Sequence, residues 1–230
     1  MNILAIDTSS PVASVAVMSD GVLLGEYVIN NGKTHSQILM PMISDLLLKT
    51  GIKVSDIDVF ATSLGPGSFT GLRIGIASAK ALAQVGKKEI IGISALDGLC
   101  ANVTAQKDVF VCPIVDARRG NVYNAVYKHG VKIIDDRLIP LDAVLKDLKN
   151  SKVIFLGDGI IKHREKILDA MGENAIFPHE NLSLQKASSI AYLANIRAQN
   201  KDFDNIFSLE PIYIRPSQAE RELNGEKEDF

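Results

Sequence analysis

The stretch SLGPGSFTGLRIG, Ser63 to Gly75, decides how the first part of this chain folds. It follows an apolar run that predicts a buried strand over residues 57–63 and leads into a helix predicted over 70–85. Glycines and hydroxyl residues between a strand and a helix are typical of a phosphate-binding loop. The same glycines would also allow another backbone to approach the helix closely.

Two known phosphate-binding patterns do not fit this loop. The pattern GxxxxGK[ST] needs a lysine after its second glycine, but Gly71 is followed by Leu72. The pattern GxGxxG is also missed, because Gly65, Gly67 and Gly71 are spaced one residue too far apart. The loop alone is therefore weak evidence for nucleotide binding.

Small residues recur every four positions along the predicted helix, at Gly71, Gly75, Ala79 and Ala83. This spacing places them on one side of the helix. An interior glycine costs about 1 kcal/mol relative to alanine, so a close contact must offset that loss. Two interpretations stay open, namely packing within the same chain and contact with a helix of another subunit.

Outward from this stretch, strands and helices follow one another in the same order twice. The first half reads as three strands over residues 3–29, a helix over 34–50, then strand, helix, strand and helix. Thr34 and Gln37 form a capping-box pattern at the start of the first helix. The repeat predicts two duplicated α/β domains, 1–105 and 106–216, followed by a polar tail over 217–230 that is expected to fray.

Composition and charge exclude several classes of protein. A net charge of −2 and 6% aromatic residues disfavour a chain that grips nucleic acid by itself. Cys100 and Cys112 lack a partner motif, which indicates a reducing compartment. No apolar run approaches the about 18 residues of a membrane span. We therefore expect a cytoplasmic protein with no membrane partner.

Polar clusters follow the first strand of each half. Asp7, Thr8 and Ser9 are able to hold a hydrated metal or a phosphate, or merely to cap a turn. The segment 116–120 occupies the matching place in the second half, where a hairpin turn is the alternative. The chain has four histidines but no pair at helical ligand spacing, no CxxC and no GxSxG, so neither a metal site nor a hydrolase site is predicted.

The segments ILAIDTSS, SLGPGSFTGLRIG, DARRGNVY and PIYIRP resemble the TsaB family, also called YeaZ. The resemblance covers nearly the whole chain and implies an actin/hexokinase/Hsp70-like (ASKHA, ribonuclease H-like) fold with two duplicated α/β domains. It implies a role in forming N6-threonylcarbamoyladenosine at position 37 of tRNAs that read codons starting with A. In that reaction TsaD transfers the threonylcarbamoyl group, and TsaB and the ATPase TsaE are required partners.

The resemblance also implies roles for particular residues. A helical bundle would join the chain to TsaD, or to a second copy when alone, through His35, Leu39, Met42, Ile43, Leu46, Gly71, Leu72, Gly75, Ile76 and Ala79. Replacing Gly75 with leucine is then expected to abolish association and leave the fold intact. Vestigial nucleotide loops would lie at Asp7, Thr8, Ser9, Gly157, Asp158 and Gly159, and a site used in the complex at Asp116, Arg118, Arg119 and Tyr123.

The catalytic relative TsaD holds its metal with an HxxxH pair, and the equivalent stretch here is ISALDGL. Ala95 and Leu99 would occupy the ligand positions, and neither side chain binds a metal. The resemblance thus implies a non-catalytic chain with no tightly bound cofactor. ATP, Mg²⁺ and metal would be bound by the partner subunits, and the chain would contact tRNA only within the complex. The alternatives are an ATP-dependent phosphotransferase using Asp7 and Asp116, a glycoprotease-like metallopeptidase, and a direct tRNA-binding module.

Overall fold

The computed structural model describes residues 1–214 and places them in two sheets with helices. The strands are β1 Asn2–Asp7, β2 Ala13–Ser19, β3 Val22–Ile29, β4 Val59–Gly65, β5 Glu89–Ser94, β6 Val109–Asp116, β7 Asn121–Lys128, β8 Val131–Pro140, β9 Lys152–Leu156 and β10 Ala175–Ile176. The α-helices are α1 His35–Thr50, α2 Phe69–Gly86, α3 Ala95–Cys100, α4 Leu141–Leu148, α5 Gly159–Met171 and α6 Ala187–Gln199. The predicted tail over 217–230 lies outside the described residues.

The two sheets have the same topology. The first has the order β3-β2-β1-β4-β5, and the second has the matching order β8-β7-β6-β9-β10. In each sheet the first three strands in the chain pair antiparallel, and the last two add in parallel on the other side. At the centre of the first sheet, Ala5 pairs with Ala16 on one side and Ala61 on the other. The predicted duplication of an α/β unit is confirmed.

Helices α1 and α2 cover one face of the first sheet. Their buried residues pack on alternate residues of the central strands, including Leu4, Ile6 and Phe60. The helical side of this core consists of Leu39, Met42, Ile43, Leu46, Ala79 and Ala83. The second sheet has a comparable core with α3, α4 and α5.

Helix α6 covers the opposite face of the first sheet, although it follows the second sheet in the chain. Its small residues pack on Ile3, Ala5, Ala61 and Ile91 through Ala187, Ala191, Ala194 and Ala198. Beyond α6, the backbone N–H of Asp204 donates to the carbonyl of Ile90 and that of Ile212 to the carbonyl of Leu64. The prediction of a unit over 106–216 does not account for this return. Helix α6 returns to the first sheet because β1 and β4 are apolar on both faces, so both faces must be covered by helices.

Local differences from the sequence predictions occur at helix ends. The predicted capping box at Thr34 is wrong, because the Thr34 side chain makes no capping hydrogen bond. At the other end of α1, Gly51 terminates the helix in the left-handed conformation at φ 72°. Helix α3 is short and ends at Cys100. Within residues 1–214, no helix is long and apolar enough to cross a membrane.

Candidate functional site

The glycines of the quoted stretch face the chain's own first strand and the turn after it. A Cβ atom at Gly71 would collide with the carbonyl oxygen of Thr8, and one at Gly75 would collide with the Thr8 hydroxyl. The Thr8 hydroxyl donates to the carbonyl of Gly71 over 2.8 Å. The small-residue stripe therefore exists to bring α2 against β1 and the β1–β2 turn.

The loop before α2 makes the same kind of contact. A Cβ at Gly67 would collide with the carbonyl oxygen of Ser9, to which the backbone N–H of Ser68 donates over 2.7 Å. Ser68 is the N-cap of α2, and its hydroxyl accepts from the N–H of Gly71 over 3.2 Å. These backbone and hydroxyl groups form hydrogen bonds within the chain. The close contact with Ser9 explains the glycine at position 67, and a bound phosphate is not needed to explain it.

This geometry corrects the predicted interface residues. All of the apolar and small residues proposed for it are buried in the chain itself: Leu39, Met42, Ile43, Leu46, Gly71, Leu72, Gly75, Ile76 and Ala79. His35 is half-buried, and its Nε2 lies 2.9 Å from the carbonyl oxygen of Ser10. Five of the proposed residues, Leu39, Met42, Ile43, Leu46 and Ala79, belong to the core between α1, α2 and the sheet, so a partner has no access to those side chains.

A different face of the same two helices is open. A groove of ≈ 630 Å³ runs between α1, α2 and the short 3₁₀ turn Val54–Asp56. Its lining is almost entirely apolar or small and consists of Met40, Val54, Ser55, Ala77, Ser78, Ala81, Leu82, Val85 and Gly86. Val85 is 88% exposed, Met40 49% and Val54 48%. We call this surface the α1–α2 groove.

A second concave region lies between the two halves. This inter-half cleft has a volume of ≈ 630 Å³ and brings together several of the residues predicted from separate motifs, namely Ser9, His35, Leu72, Asp116, Arg118, Tyr123 and Asp158. Asp7, Thr8, Gly157, Gly159 and Arg119 do not line it. The polar turns after β1 and β6, which occupy matching positions in the two halves, thus line the same cleft.

Asp116 is the centre of the polar groups in this cleft. Its backbone N–H donates to Oδ1 of Asp158 over 3.1 Å, and its own carboxylate accepts from the N–H of Arg118 and from Lys162. Nε2 of the buried His163 lies 3.5 Å from Asp116 Oδ1. Burial raises the pKa of Asp158, while the hydrogen bond from Asp116 acts to lower it.

Asp7 lies behind the cleft and is fully buried. Its Oδ1 accepts hydrogen bonds from the backbone N–H and the hydroxyl of Ser9 at 2.9 and 2.7 Å. Burial raises the pKa of Asp7 from 3.8 to about 6, against the lowering effect of these hydrogen bonds. Its carboxylate is engaged in ordering the turn.

Residues that the sequence analysis did not single out complete the cleft. The ring of Tyr213 stacks on Phe69 at 4.9 Å, and its hydroxyl accepts from Nε of Arg73 over 3.0 Å. The Arg73 guanidinium also lies 4.0 Å from the centre of the Phe69 ring. Both aromatic residues belong to the quoted motifs, but neither spacing nor composition indicates that segments so far apart in the chain would stack.

The stretch equivalent to the metal ligands of TsaD and the loop at Gly157 both make contacts within the chain. Ala95 and Leu99 are fully buried, and among residues 1–214 no group of three or more His, Cys, Asp or Glu side chains could hold a metal. Gly157 and Gly159 pack on the backbone of Ile114, where a Cβ at Gly157 would collide with its carbonyl oxygen. The glycines of this loop thus serve contact with β6.

Comparison with known proteins agrees with this architecture. The chain matches the family model "TsaD: tRNA N6-adenosine threonylcarbamoyltransferase" over residues 23–223. It is 33% identical over 226 residues to "tRNA threonylcarbamoyladenosine biosynthesis protein TsaB" of Bacillus subtilis (strain 168), and the alignment covers 96% of each chain. The structure of YeaZ from Pseudomonas aeruginosa is similar, with a TM-score of 0.78, 26% identity, and coverage of 92% of this chain and 99% of that one.

A more distant structure shows the fold alone. The ethanolamine utilization protein EutJ from Carboxydothermus hydrogenoformans has a TM-score of 0.56 at 12% identity, covering 84% of this chain and 90% of that one. With the duplicated sheets, these similarities define the class of the fold, which is α/β and actin-like (ASKHA). Within that class, the chain belongs to the TsaB (YeaZ) family.

Proposed function

We propose that this chain is a non-catalytic subunit in tRNA threonylcarbamoyladenosine biosynthesis, and that it docks on a TsaD-like catalytic subunit through the α1–α2 groove. The observation that carries the proposal is the apolar, exposed groove on two helices whose sheet-facing residues are buried in the chain's own core. The names of the relatives in Bacillus subtilis and other bacteria supply the pathway. The more specific assignment, modification of adenosine 37, is based on the family resemblance.

The groove has the shape that a helix of another subunit requires. Ala77 and Ala81 lie one turn apart on α2 and form a shallow floor, because neither side chain extends beyond Cβ. Met40, Val54 and Val85 stand around this floor and supply bulky apolar contacts. A bulky side chain from a partner helix would bury its surface there, at about 25 cal/mol per Å² of apolar area removed from water.

The match to the TsaD family model supports a partner related in fold. A chain with matching helices is able to present a similar surface, so two related subunits would form a bundle of four helices about a pseudo-twofold axis. The same surface would join two copies of this chain when the catalytic subunit is absent. A TsaE-like ATPase would act on the assembled complex, and tRNA would bind only to that complex.

The apolar positions in α3 support a non-catalytic role. Ala95 and Leu99 stand where the family resemblance puts the metal ligands of TsaD, and their side chains are buried. In this proposal the metal, Mg²⁺ and ATP belong to the partner subunits, and this chain binds none of them tightly alone. Calorimetry of the isolated chain with Mg-ATP tests that statement, because tight binding would favour the phosphotransferase alternative.

The decisive experiment introduces one charge into the groove. Ala81→Glu places a carboxylate on its floor, where docking would desolvate it without a partner. We expect association with the TsaD-like subunit to weaken about a hundredfold or more, as measured by calorimetry or sedimentation. Threonylcarbamoyl transfer in a reconstituted assay with TsaD, TsaE and tRNA should fall in parallel.

The matched control is Gln84→Glu, which adds the same charge to the exposed surface of α2 outside the groove. It should leave association and transfer unchanged. Unweakened association of Ala81→Glu would contradict the placement of the interface. Full transfer by TsaD and TsaE in the absence of this chain, or transfer by this chain alone, would contradict the proposed function itself.

A further inference from the structure

A third concave region shares no lining residue with the groove or the cleft. It has a volume of ≈ 720 Å³ and lies between the end of α3, the chain after it, strands β7 and β8, and α6. We call it the α3–α6 cavity. Its size falls within the range of small-molecule sites, which is about 300–1,000 Å³.

The body of this cavity is apolar and includes two aromatic side chains. Ile93, Val103, Ala105, Val111, Leu193 and Ile196 contribute the aliphatic lining. Tyr127 is almost fully buried in the wall, while Tyr192 is 53% exposed at the rim. Such a lining favours a flat or aliphatic ligand body that is removed from water.

One carboxylate in the lining has an unused acceptor. Asp97 Oδ1 accepts from the Tyr127 hydroxyl over 2.6 Å and from Lys132 over 2.9 Å. No hydrogen bond from residues 1–214 reaches its Oδ2, and the Asp97 side chain, which lines the cavity, is 36% exposed. The Asp97 carboxylate is thus held rigidly by one oxygen and leaves the other for a donor.

The two cations of the lining, Lys132 and Arg197, are already engaged by carboxylates. Lys132 is shared between Asp97 and Asp136, the latter at 2.6 Å. Arg197, the other cation in the lining, is neutralised by ion pairs with Asp202 and Asp204. Both cations of the lining are thus already paired with carboxylates, so the remaining oxygen of Asp97 favours a cation over an anion.

From these observations we infer that the α3–α6 cavity binds an organic cation, a primary ammonium group on an aromatic or aliphatic body. The ammonium would donate to Oδ2 of Asp97, and the body would lie between α3 and α6. The face of Tyr192 stands at the rim, where a cation is attracted to an aromatic ring. This site is separate from docking and does not depend on the proposed function.

The test compares two probes that share one aromatic body and differ in charge. Tryptamine carries an ammonium at neutral pH and indole-3-propionate carries a carboxylate. Titrated into the isotopically labelled chain, tryptamine should give saturable NMR shifts at α3, β8 and α6, and indole-3-propionate should give none. Equal binding of the two probes, or no saturable shifts with tryptamine, would overturn the proposal.

Two variants locate the binding. Asp97→Asn should weaken tryptamine binding at least about tenfold, the value of one charge-assisted hydrogen bond, and Ala101→Phe should abolish it by filling the cavity. Asp108→Asn is the matched control, because it removes a carboxylate that pairs with Lys128 and does not line the cavity. Undiminished binding to folded Asp97→Asn would also overturn the proposal, with its fold checked by the spectrum. If that variant does not fold, retained binding by Ala101→Phe decides against the site.

Discussion

Helix α2 carries small residues on two of its faces, and the two sets do different work. Gly71, Gly75 and Ala79 face inward and let the helix backbone approach Thr8 and the first strand. Ala77 and Ala81 face outward and form the floor of an open groove. A small residue therefore indicates a close approach, but only the surroundings show whether the approaching group belongs to the same chain.

The comparison also separates glycine from alanine on the same helix. The inward face needs glycine at two positions, because even a Cβ would collide with Thr8. The outward floor uses alanine, whose better helix propensity is favourable where no backbone comes so near. The glycines accordingly belong to the stability of the fold, and the exposed alanines to the proposed docking.

The largest effect should come from replacing an inward glycine. Gly75→Leu would push its side chain into Thr8 and Ile6, so α2 must move away from β1. We expect a loss of about 3 kcal/mol or more in the free energy of unfolding, measured by chemical denaturation. This reverses the sequence-based expectation that the variant would keep its fold.

Ala77→Leu is the outward counterpart of that variant. It adds the same kind of bulk to an exposed position on the same helix, and its free energy of unfolding should stay within about 0.5 kcal/mol of the parent. Its effect should instead fall on association with the partner. If both variants unfold at the same denaturant concentration, the distinction between the two faces fails.

A smaller effect concerns the buried carboxylate next to Thr8. Because the pKa of Asp7 is raised from 3.8 to about 6 in the folded chain, the native state binds its proton more tightly than the unfolded state does. This contribution to stability is present below pH about 4 and is lost as the pH rises to about 6, by about 2 to 3 kcal/mol.

Asp7→Asn removes this titration and should stabilise the chain at pH 7 relative to the parent. The difference in free energy of unfolding between the two proteins should shrink as the pH is lowered to about 4. Denaturation curves at several pH values measure it. A difference that does not change with pH would show that Asp7 is not buried as a charged group at pH 7.

The smallest effect should come from the single hydrogen bond between the β1–β2 turn and α2. Thr8→Val keeps the side-chain volume but removes the hydroxyl that donates to the carbonyl of Gly71. We expect a loss of about 1 kcal/mol in the free energy of unfolding. Thr70→Val, at an exposed position in the first turn of α2, is the control and should change it by less than about 0.5 kcal/mol.

Periodicity predicted most of the elements because it depends on neighbours in the chain. The apolar runs of β1 and β2, the apolar spacing of α1 and the four-residue stripe of α2 each give their element directly. Periodicity does not report what a face contacts. The stripe from Gly71 to Ala83 therefore predicted contact with a partner helix. In the structure its glycines contact the chain's own first strand and the turn after it.

The cleft could be predicted in part for a similar reason. Duplication places the turns after β1 and β6 at equivalent positions, so a cleft lined by both Ser9 and Asp116 follows from topology. The stacking of Tyr213 on Phe69 does not, because it depends on where the chain runs after α6. Contacts between distant segments follow from the three-dimensional path, which a single sequence does not contain as a pattern.

The return of α6 to the first sheet has a consequence for how the polypeptide is made. When the first five strands have left the ribosome, the apolar face containing Ile3, Ala61 and Ile91 has no cover, because residues 187–199 are not yet synthesised. The amino-terminal half must wait for the last helix, or be shielded by a chaperone, before it is safe from aggregation. Truncation before residue 187 would thus damage the half of the protein that is furthest away in sequence.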